Sequence, residues 1–248
     1  MIRHTLIIIT IVAVFFFLNG CSSRQDIYIS DTGEGSVSID VNLDKMLTAY
    51  AGDLLGGFSD IDTSEINLFD TIKISRTISE LESVYLTNIR TDSSETLHLE
   101  LDFTDPGKIF NESEVLDIPD LITFSTRKAG SRNRKKISLY LSKNNFNTAL
   151  YLVGMKDSEI LETFGPQDNP YSESEYLDLM EFLFEEYESP YKIRLLIQSS
   201  EVLINLNIDG EIINCDGCTF SGPTAVIVIP LLDIVTLEKP IEVAVEWE

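Results

Sequence analysis

The stretch Leu97-His98-Leu99-Glu100-Leu101-Asp102-Phe103 alternates apolar and polar side chains without a break. Strict alternation is typical of a β-strand that has one face in a core and the other in water. A second alternating run, residues 84–89, precedes it across the polar segment Asp92-Ser93-Ser94-Glu95. The two runs therefore predict an antiparallel hairpin, with His98, Glu100 and Asp102 together on its polar face.

The sequence predicts further strands and helices before and after this hairpin. Alternation predicts a strand over 35–42, and Asp44 can cap a helix that ends at Gly56-Gly57. The remaining expected elements are a helix over most of 66–81, strands at 121–126 and 137–141, helices within 143–188, of which 172–187 is the clearest, strands at 191–199, 201–207, 211–215, 218–229 and 240–247, and a short helical turn at 230–236. Asp209-Gly210 and Asp216-Gly217 are turn signals expected between antiparallel neighbours. Together these patterns predict an α+β fold, mostly antiparallel sheet packed with several helices and rich in strand towards the carboxyl end.

Composition narrows the class of protein. The 248 residues are 44% hydrophobic and include 13 Phe and 9 Tyr, which is typical of a packed core and argues against disorder. The formal net charge is −23. Such a surface repels nucleic acid and anionic headgroups, so we expect no nucleic-acid partner.

The amino-terminal residues have the layout of an export signal. Met1 to His4 form a short basic lead, Leu6 to Leu18 are almost continuously apolar, and Asn19-Gly20-Cys21 follow. The apolar run is short for a permanent membrane span. Leu18-Asn19-Gly20-Cys21 resembles the lipobox of bacterial lipoproteins, although Asn19 departs from the usual small residue. The resemblance implies cleavage before Cys21, acylation of that cysteine, and a membrane-anchored place in the cell envelope facing the periplasm or the cell surface. An ordinary secretory signal or an uncleaved anchor is the alternative.

This interpretation sets the expected organisation of the chain. Residues 1–20 are the signal peptide, residues 21–34 a flexible tether with a turn or linker at Asp31-Thr32-Gly33-Glu34-Gly35, and residues 35–248 a single α+β domain. The domain divides, if at all, into 35–142, a helical segment 143–188 and a strand-rich part 189–248. A tether of that length would hold an acidic body clear of its own membrane.

A cluster of basic residues stands out against the acidic background. Six cations lie between positions 127 and 136: Arg127, Lys128, Arg132, Arg134, Lys135 and Lys136. On an exposed hairpin they would suit phosphate-bearing headgroups, anionic polysaccharide or an acidic partner protein. The alternative is a solvated loop that pairs with carboxylates of the protein itself.

Cys215-Asp216-Gly217-Cys218 is the most recognisable side-chain chemistry. A redox C-x-x-C opens a helix, but Thr219 to Pro223 do not read as helical, and a zinc site would need further ligands. Outside the cytoplasm, two thiols that flank an Asp-Gly turn can close a bridge. A disulfide between Cys215 and Cys218 is the first expectation, ahead of free thiols and of redox or metal chemistry.

Positive signs of catalysis are missing from the sequence. His98 beside Glu100 and Asp102 could bind a metal or act as a base, but a solvated strand face explains the same residues. Asp60 to Glu65 offer alternating oxygen ligands without the glycine and glutamate spacing of a calcium loop. No nucleophile elbow, zinc-protease or phosphate-loop motif is present. We therefore expect no catalytic residues, no metal and no cofactor.

Parts of the body resemble an uncharacterised group of bacterial, notably spirochaete-type, lipoproteins. The carrying features are the start at 35–55, Phe164-Gly165-Pro166 before helix 172–187, the Asn207-Ile208-Asp209-Gly210 turn, and the final Glu246-Trp247. The arrangement is more distantly similar to LppM-type lipoproteins, which have an α+β domain and are thought to contact envelope glycolipids. The resemblance implies a non-catalytic envelope protein that binds a partner protein, a glycolipid or an anionic ligand. A carboxylate-based extracytoplasmic hydrolase and a structural component of the envelope are the alternatives.

Overall fold

The computed structural model describes residues 23–58, 69–79, 83–105, 121–129, 132–146, 165–166 and 170–248. In chain order their elements are β1 Ser23–Ile29, β2 Gly35–Asn42, α1 Lys45–Phe58, α2 Thr71–Ser79, β3 Val84–Arg90, β4 Thr96–Phe103, β5 Ile122–Ala129, β6 Arg132–Leu141, α3 Glu173–Phe184, α4 Pro190–Ser199, β7 Glu201–Ile208, β8 Ile212–Asp216, β9 Thr219–Ser221, β10 Thr224–Pro230, α5 Leu231–Thr236 and β11 Ile241–Trp247. This mixture confirms the predicted α+β class.

The described strands form two sheets. The larger has the order β3-β4-β2-β1-β7-β10-β9, and the smaller has the order β5-β6-β11-β8. All neighbours are antiparallel except β1 and β7, which run parallel. The predicted hairpin of β3 and β4 is confirmed. Leu99 and Leu101 of the larger sheet share one core with Val245 and Trp247 of the smaller, so the alternating apolar face of β4 is buried between the sheets.

Residues 23–29 correct the expected organisation of the chain. The flexible tether predicted over 21–34 is wrong for this segment, because β1 lies between β2 and β7 near the middle of the larger sheet. Its core-facing positions begin with Ser23 and Gln25, both fully buried. Polar side chains at those positions hide the alternation that marks a half-buried strand. Hydrogen bonds to β2 and β7 hold β1 in the sheet, although its own pattern of apolar residues is weak.

Four helices pack together beside the larger sheet. Tyr176, Met180 and Phe184 of α3 share a buried cluster with residues of α1, α4 and α5. Three of these helices are connected directly to strands of the larger sheet: α1 follows β2, α4 precedes β7, and α5 follows β10. The strand register pairs Ser23 with Val41 and Val202, so Asn42, Glu201 and Pro230 lie one position beyond Ser23 at the same end. We call this end of the sheet the Ser23 end, and the opposite end, with the β1–β2 turn, the Ile29 end.

Helix α3 matches its predicted position, whereas α4 does not match the strand predicted at 191–199. Ser172 and Glu175 form a reciprocal capping box at the start of α3. In α4, Pro190 occupies the first turn, where its missing N–H costs nothing. Ile193 and Ile197 are buried one helical turn apart, while Leu195 is exposed. The sequence reads as alternating because Leu195 lies between two isoleucines, but only the helical pair reaches the core.

The two Asp-Gly pairs lie at turns that join strands of different sheets, whereas hairpin turns were predicted there. Asp209-Gly210 carries the chain from β7 in the larger sheet to β8 in the smaller, and Asp216-Gly217 leads from β8 back to β9 in the larger. Neither turn joins hydrogen-bonded neighbours, so the prediction of hairpins there is wrong. The single strand expected over 218–229 is in fact β9 and β10, which pair with each other around Gly222.

Candidate functional site

The six predicted cations lie on β5 and β6, in strands that extend further than the sequence indicated. Arg127 pairs in register with Arg134, and β6 continues the smaller sheet towards β11. The Lys135 ammonium group hydrogen-bonds the Asp31 carbonyl oxygen in the β1–β2 turn. This contact places the basic hairpin at the Ile29 end of the larger sheet.

Most of these cations have carboxylate partners on the protein itself. Arg132 and Arg134 lie 3.2 Å and 2.7 Å from the carboxylate of Glu248. Arg127 and Lys136 lie 3.8 Å and 4.0 Å from Glu246. The hydrogen bond from Arg134, followed by that from Arg132, outweighs partial burial and lowers the pKa of Glu248. Among the described residues Lys128 has no ion pair, so internal pairing accounts for most of the cluster.

Cys215 and Cys218 form a disulfide at the turn where the chain returns to the larger sheet. Their Cα atoms are 5.6 Å apart, within the usual range for a bridge. Gly217 between them has a φ of +67°, a left-handed conformation that glycine adopts without strain. Both cysteines pack against the apolar core. The bridge therefore fixes local geometry where β8 ends, since a loop this small removes little chain entropy.

His98 lies between two carboxylates on the polar face of β2 and β4. Its Nδ1 is 2.6 Å from Asp40 Oδ1 and its Nε2 is 3.0 Å from Glu100 Oε1. The hydrogen bond to Asp40 is the main cause that raises the pKa of His98; burial opposes it and Glu100 adds to it. Among the described residues no group of His, Cys, Asp and Glu is arranged to hold a metal ion. The hydrogen bond from His98 to Asp40 links the neighbouring strands β4 and β2, and we call it the His98 clamp.

The same sheet face contains a groove that the sequence did not reveal. A cavity of about 370 Å³ lies across β1, β2, β3, β4 and β7, lined among others by Tyr28, Ser36, Ser38, Glu100, Asp102 and Asn207. The register forms one row from Tyr28 through Ser36 and Asp102 to Tyr85. Tyr28 is 44% and Tyr85 58% exposed. Tyr28 lines the cavity, and Tyr85 on β3 lies next to Asp102 at the other end of the row, just outside the lining. We call the cavity together with this row the Tyr28–Tyr85 groove.

Several polar groups in and beside the groove are held by neighbours. Asp26 accepts a hydrogen bond of 2.8 Å from Arg24 and one of 2.7 Å from Asn205. Burial opposes the charge on Asp26, but these two bonds outweigh it and lower its pKa. Thr224 donates to the Asn207 side-chain oxygen over 2.7 Å. These contacts fix the positions of the side chains before any ligand arrives.

The groove could not be predicted from the sequence, because the strands that form it are far apart along the chain. Tyr28 lies in the segment assigned to a tether, and Asn207 is far along the chain on β7. The available signal was the alternation of Arg24, Asp26 and Tyr28, which places three polar side chains on one face. On the opposite face Ser23 and Gln25 take the first two positions, and Ile27 and Ile29 alone are too short an apolar pattern to predict a strand.

A second cavity lies beside α5. It has a volume of about 430 Å³ and is lined by Glu173, Asp233, Glu238, Lys239 and Glu242, among others. Burial, with Glu173 nearby, raises the pKa of Asp233. A carboxylate hydrolase needs a pair of carboxyl groups with distinct roles. Asp233 is one carboxyl group of this cavity, and Glu173, Glu238 and Glu242 are further carboxyl groups in the same lining.

Several predictions lie wholly or partly outside the described residues, including the ends of the helix over 66–81 and much of the helical segment from 147 to 169. Cys21 with the signal at 1–20, and the oxygen-rich segment 60–65, also lie outside them. Among the helices of the described residues, none is both long and apolar enough to cross a membrane.

No protein-family model matches the chain, and no curated protein sequence matches it either. Among solved structures, the chain has some similarity to the folded domain of LppM from Mycobacterium tuberculosis, with 7% identity, 93% of this chain and 90% of that chain covered, and a TM-score of 0.37. At that score the two folds are not established as the same, so no function passes from that protein to this chain.

Proposed function

We propose that this chain is a lipid-anchored protein of the cell envelope that binds a ligand or partner outside the cytoplasm and catalyses no reaction. The observation that carries the proposal is Leu18-Asn19-Gly20-Cys21 directly after an apolar run and a basic lead. Acyl chains on Cys21 would hold the protein at the membrane, since each buried methylene contributes about 0.8 kcal/mol.

The start of β1 supports a specific form of this anchoring. Ser23 follows Cys21 by two positions. Two residues span at most about 7 Å of extended chain. The Ser23 end of the larger sheet, with its helices, would therefore lie against the membrane, and the Ile29 end would face away from it. The basic hairpin, at the Ile29 end, would face partners beyond the membrane surface and not the headgroups of the anchoring leaflet.

The anchor is tested on the native protein. We expect mass spectrometry of the purified chain to show an amino terminus at Cys21 that carries acyl groups, and Cys21→Ser to move the protein from the membrane fraction to the soluble fraction. Ser22→Ala is the matched control and should leave the protein in the membrane fraction. An intact leader with an unmodified cysteine would disprove the proposal.

A further inference from the structure

The geometry points to the Tyr28–Tyr85 groove as a binding site for a neutral glycan chain. The inference rests on the proposed function in that it names the ligand class of an envelope binding protein. It starts from the pair of exposed tyrosines, because a large aromatic ring left in water on a sheet face is available for a ligand. Sugar rings present apolar C–H faces that stack on such rings and hydroxyl groups that hydrogen-bond around them.

The dimensions of the groove suit an extended chain of sugars. Tyr28 and Tyr85 are three strand positions apart along one row of the sheet. Neighbouring strands are about 4.8 Å apart, so the rings are separated by about 14 Å, the length of about three sugar units. Ser36, between them, leaves the floor low enough for a ligand to lie across the strands.

The polar groups of the floor favour hydroxyl groups over anions. Carboxylates of Glu100 and Asp102 line the groove and accept hydrogen bonds from hydroxyls. The same carboxylates repel phosphate and sulfate groups. Glu100 has a hydrogen-bond partner in His98, and Asp26 is paired with Arg24, so two carboxylates of the lining already have partners in the protein. A neutral polyhydroxylated ligand meets both conditions.

The position of the groove agrees with a ligand beyond the membrane surface. Tyr28 is the residue before Ile29, near the far end of β1. Tyr28 lies five steps along the strand from Ser23, or about 17 Å. A protein held at Cys21 would thus present the groove away from the headgroups of its own leaflet.

The test uses the full chain in a detergent without a sugar headgroup, titrated by calorimetry with neutral hexose and N-acetylhexosamine oligosaccharides of about four units, a length that covers the groove. We expect saturable binding that Tyr28→Ala and Tyr85→Ala each weaken about tenfold or more through loss of a stacking ring. Tyr28→Phe, which keeps the ring, should bind nearly as well as the unmodified chain. Tyr191→Ala removes a tyrosine that is 75% exposed on α4 and serves as the matched control.

Each result decides the question. Absence of binding by all the neutral oligosaccharides, or equal binding by the Tyr28, Tyr85 and Tyr191 variants, overturns the inference. Preference for a sulfated oligosaccharide or a basic peptide in parallel titrations overturns it as well. None of these outcomes alters the lipid on Cys21, so the anchor is judged separately by mass spectrometry.

Discussion

Gln25 faces the core from β1 with a fully buried side chain, and within the described part of the chain neither its amide nitrogen nor its amide oxygen has a hydrogen-bond partner. A buried polar group without a partner costs about 1–3 kcal/mol. We therefore expect Gln25→Leu to raise the free energy of unfolding by about that amount. Chemical denaturation of the two proteins, monitored by circular dichroism, measures the difference.

Asn145 is the matched control for this substitution. It is 5% exposed, but its side chain accepts a hydrogen bond of 2.7 Å from the Ser142 backbone N–H and donates one of 2.8 Å to the Tyr140 carbonyl. Asn145→Leu should lower the free energy of unfolding, because it leaves those backbone groups unpaired. If Gln25→Leu destabilised the protein as well, the Gln25 amide would have a bound partner, and the expectation would be wrong.

His98 gives the protein a pH-dependent contribution to stability. The groups around it are Asp40, Glu100 and the more distant Arg90, and the hydrogen bond to Asp40 is the main cause of its raised pKa. A raised pKa in the folded state stabilises the fold fully below the unfolded value of about 6.5, and the gain is lost as pH rises through the folded value. We expect the histidine resonances in NMR to titrate above 6.5.

The same effect appears in unfolding experiments. The free energy of unfolding should fall as pH rises from about 6.5 through the folded pKa of His98, and His98→Gln should remove that slope. Asp40→Asn should reduce it and lower the pKa of His98. A slope unchanged by both substitutions would show that the clamp does not form in solution.

At the scale of the element, Gly217 is a position where both the backbone conformation and the space oppose a side chain. Its φ is +67°, and an added Cβ would lie 2.2 Å from the Glu242 carbonyl oxygen. Gly222 has a similar φ of +58°, with nothing within 4 Å of an added Cβ. We expect Gly222→Ala to cost about 1 kcal/mol through the left-handed backbone alone, and Gly217→Ala to cost more, because β11 must also shift. Thermal unfolding of the two variants compares them directly, and equal losses would contradict the expected clash.

The basic hairpin should respond to its own carboxylates more than to an external anion. Glu246→Gln with Glu248→Gln removes the partners of Arg127, Arg132, Arg134 and Lys136. The freed cations should then retain the protein on anionic vesicles better than the unmodified chain at low salt, and less so as salt rises. Glu238→Gln with Glu242→Gln, at and just before the start of β11, removes two charges that do not pair with the hairpin and is the control of equal charge. Retention that falls on neutralising Arg132, Arg134, Lys135 and Lys136 in the otherwise unmodified chain would show that the hairpin already binds anions.

Elements with a strong period were predictable, and elements whose burial depends on distant partners were not. The β3–β4 hairpin and α3 carry complete apolar patterns and a capping box, and both are found where the sequence places them. Strand β1 and helix α4 were misassigned, because Ser23 and Gln25 weaken one pattern and Leu195 imitates the other. Local propensity carries no information about the hydrogen bonds that β7 and β2 form with β1 on its two sides.

At the scale of the whole molecule, the candidate site was also predictable only in part. The basic residues were visible as a run in the sequence, but Glu246 and Glu248, which pair with them, are about a hundred residues away along the chain. The Tyr28–Tyr85 groove exists only after β1, β2, β3, β4 and β7 are placed side by side. A site assembled across strands in this way needs the sheet order, which the sequence did not provide.

An anchor at Cys21 also determines how the whole molecule stands on a membrane. Glu201 lies at the Ser23 end of the larger sheet, and Glu34, just before β2, lies at the Ile29 end; both are exposed. The two ends of β1 are about 20 Å apart. A fluorophore on Glu201→Cys should therefore be quenched by nitroxide headgroup lipids far more strongly than one on Glu34→Cys, in vesicles that contain the acylated protein.

A linker insertion tests whether the short connection between Cys21 and β1 orients the protein on the membrane, or whether other contacts with the lipid do so. About ten Gly and Ser residues inserted between Ser22 and Ser23 would give the body a reach of about 17 Å by the square-root rule for flexible chains. The acidic surface would then move away from the headgroups, and quenching at position 201 should fall towards that at position 34, because the body is no longer held at one end. Equal quenching at the two positions without the insertion would mean that the β1 terminus does not set the orientation. Unequal quenching that survives the insertion would mean that another surface contacts the lipid.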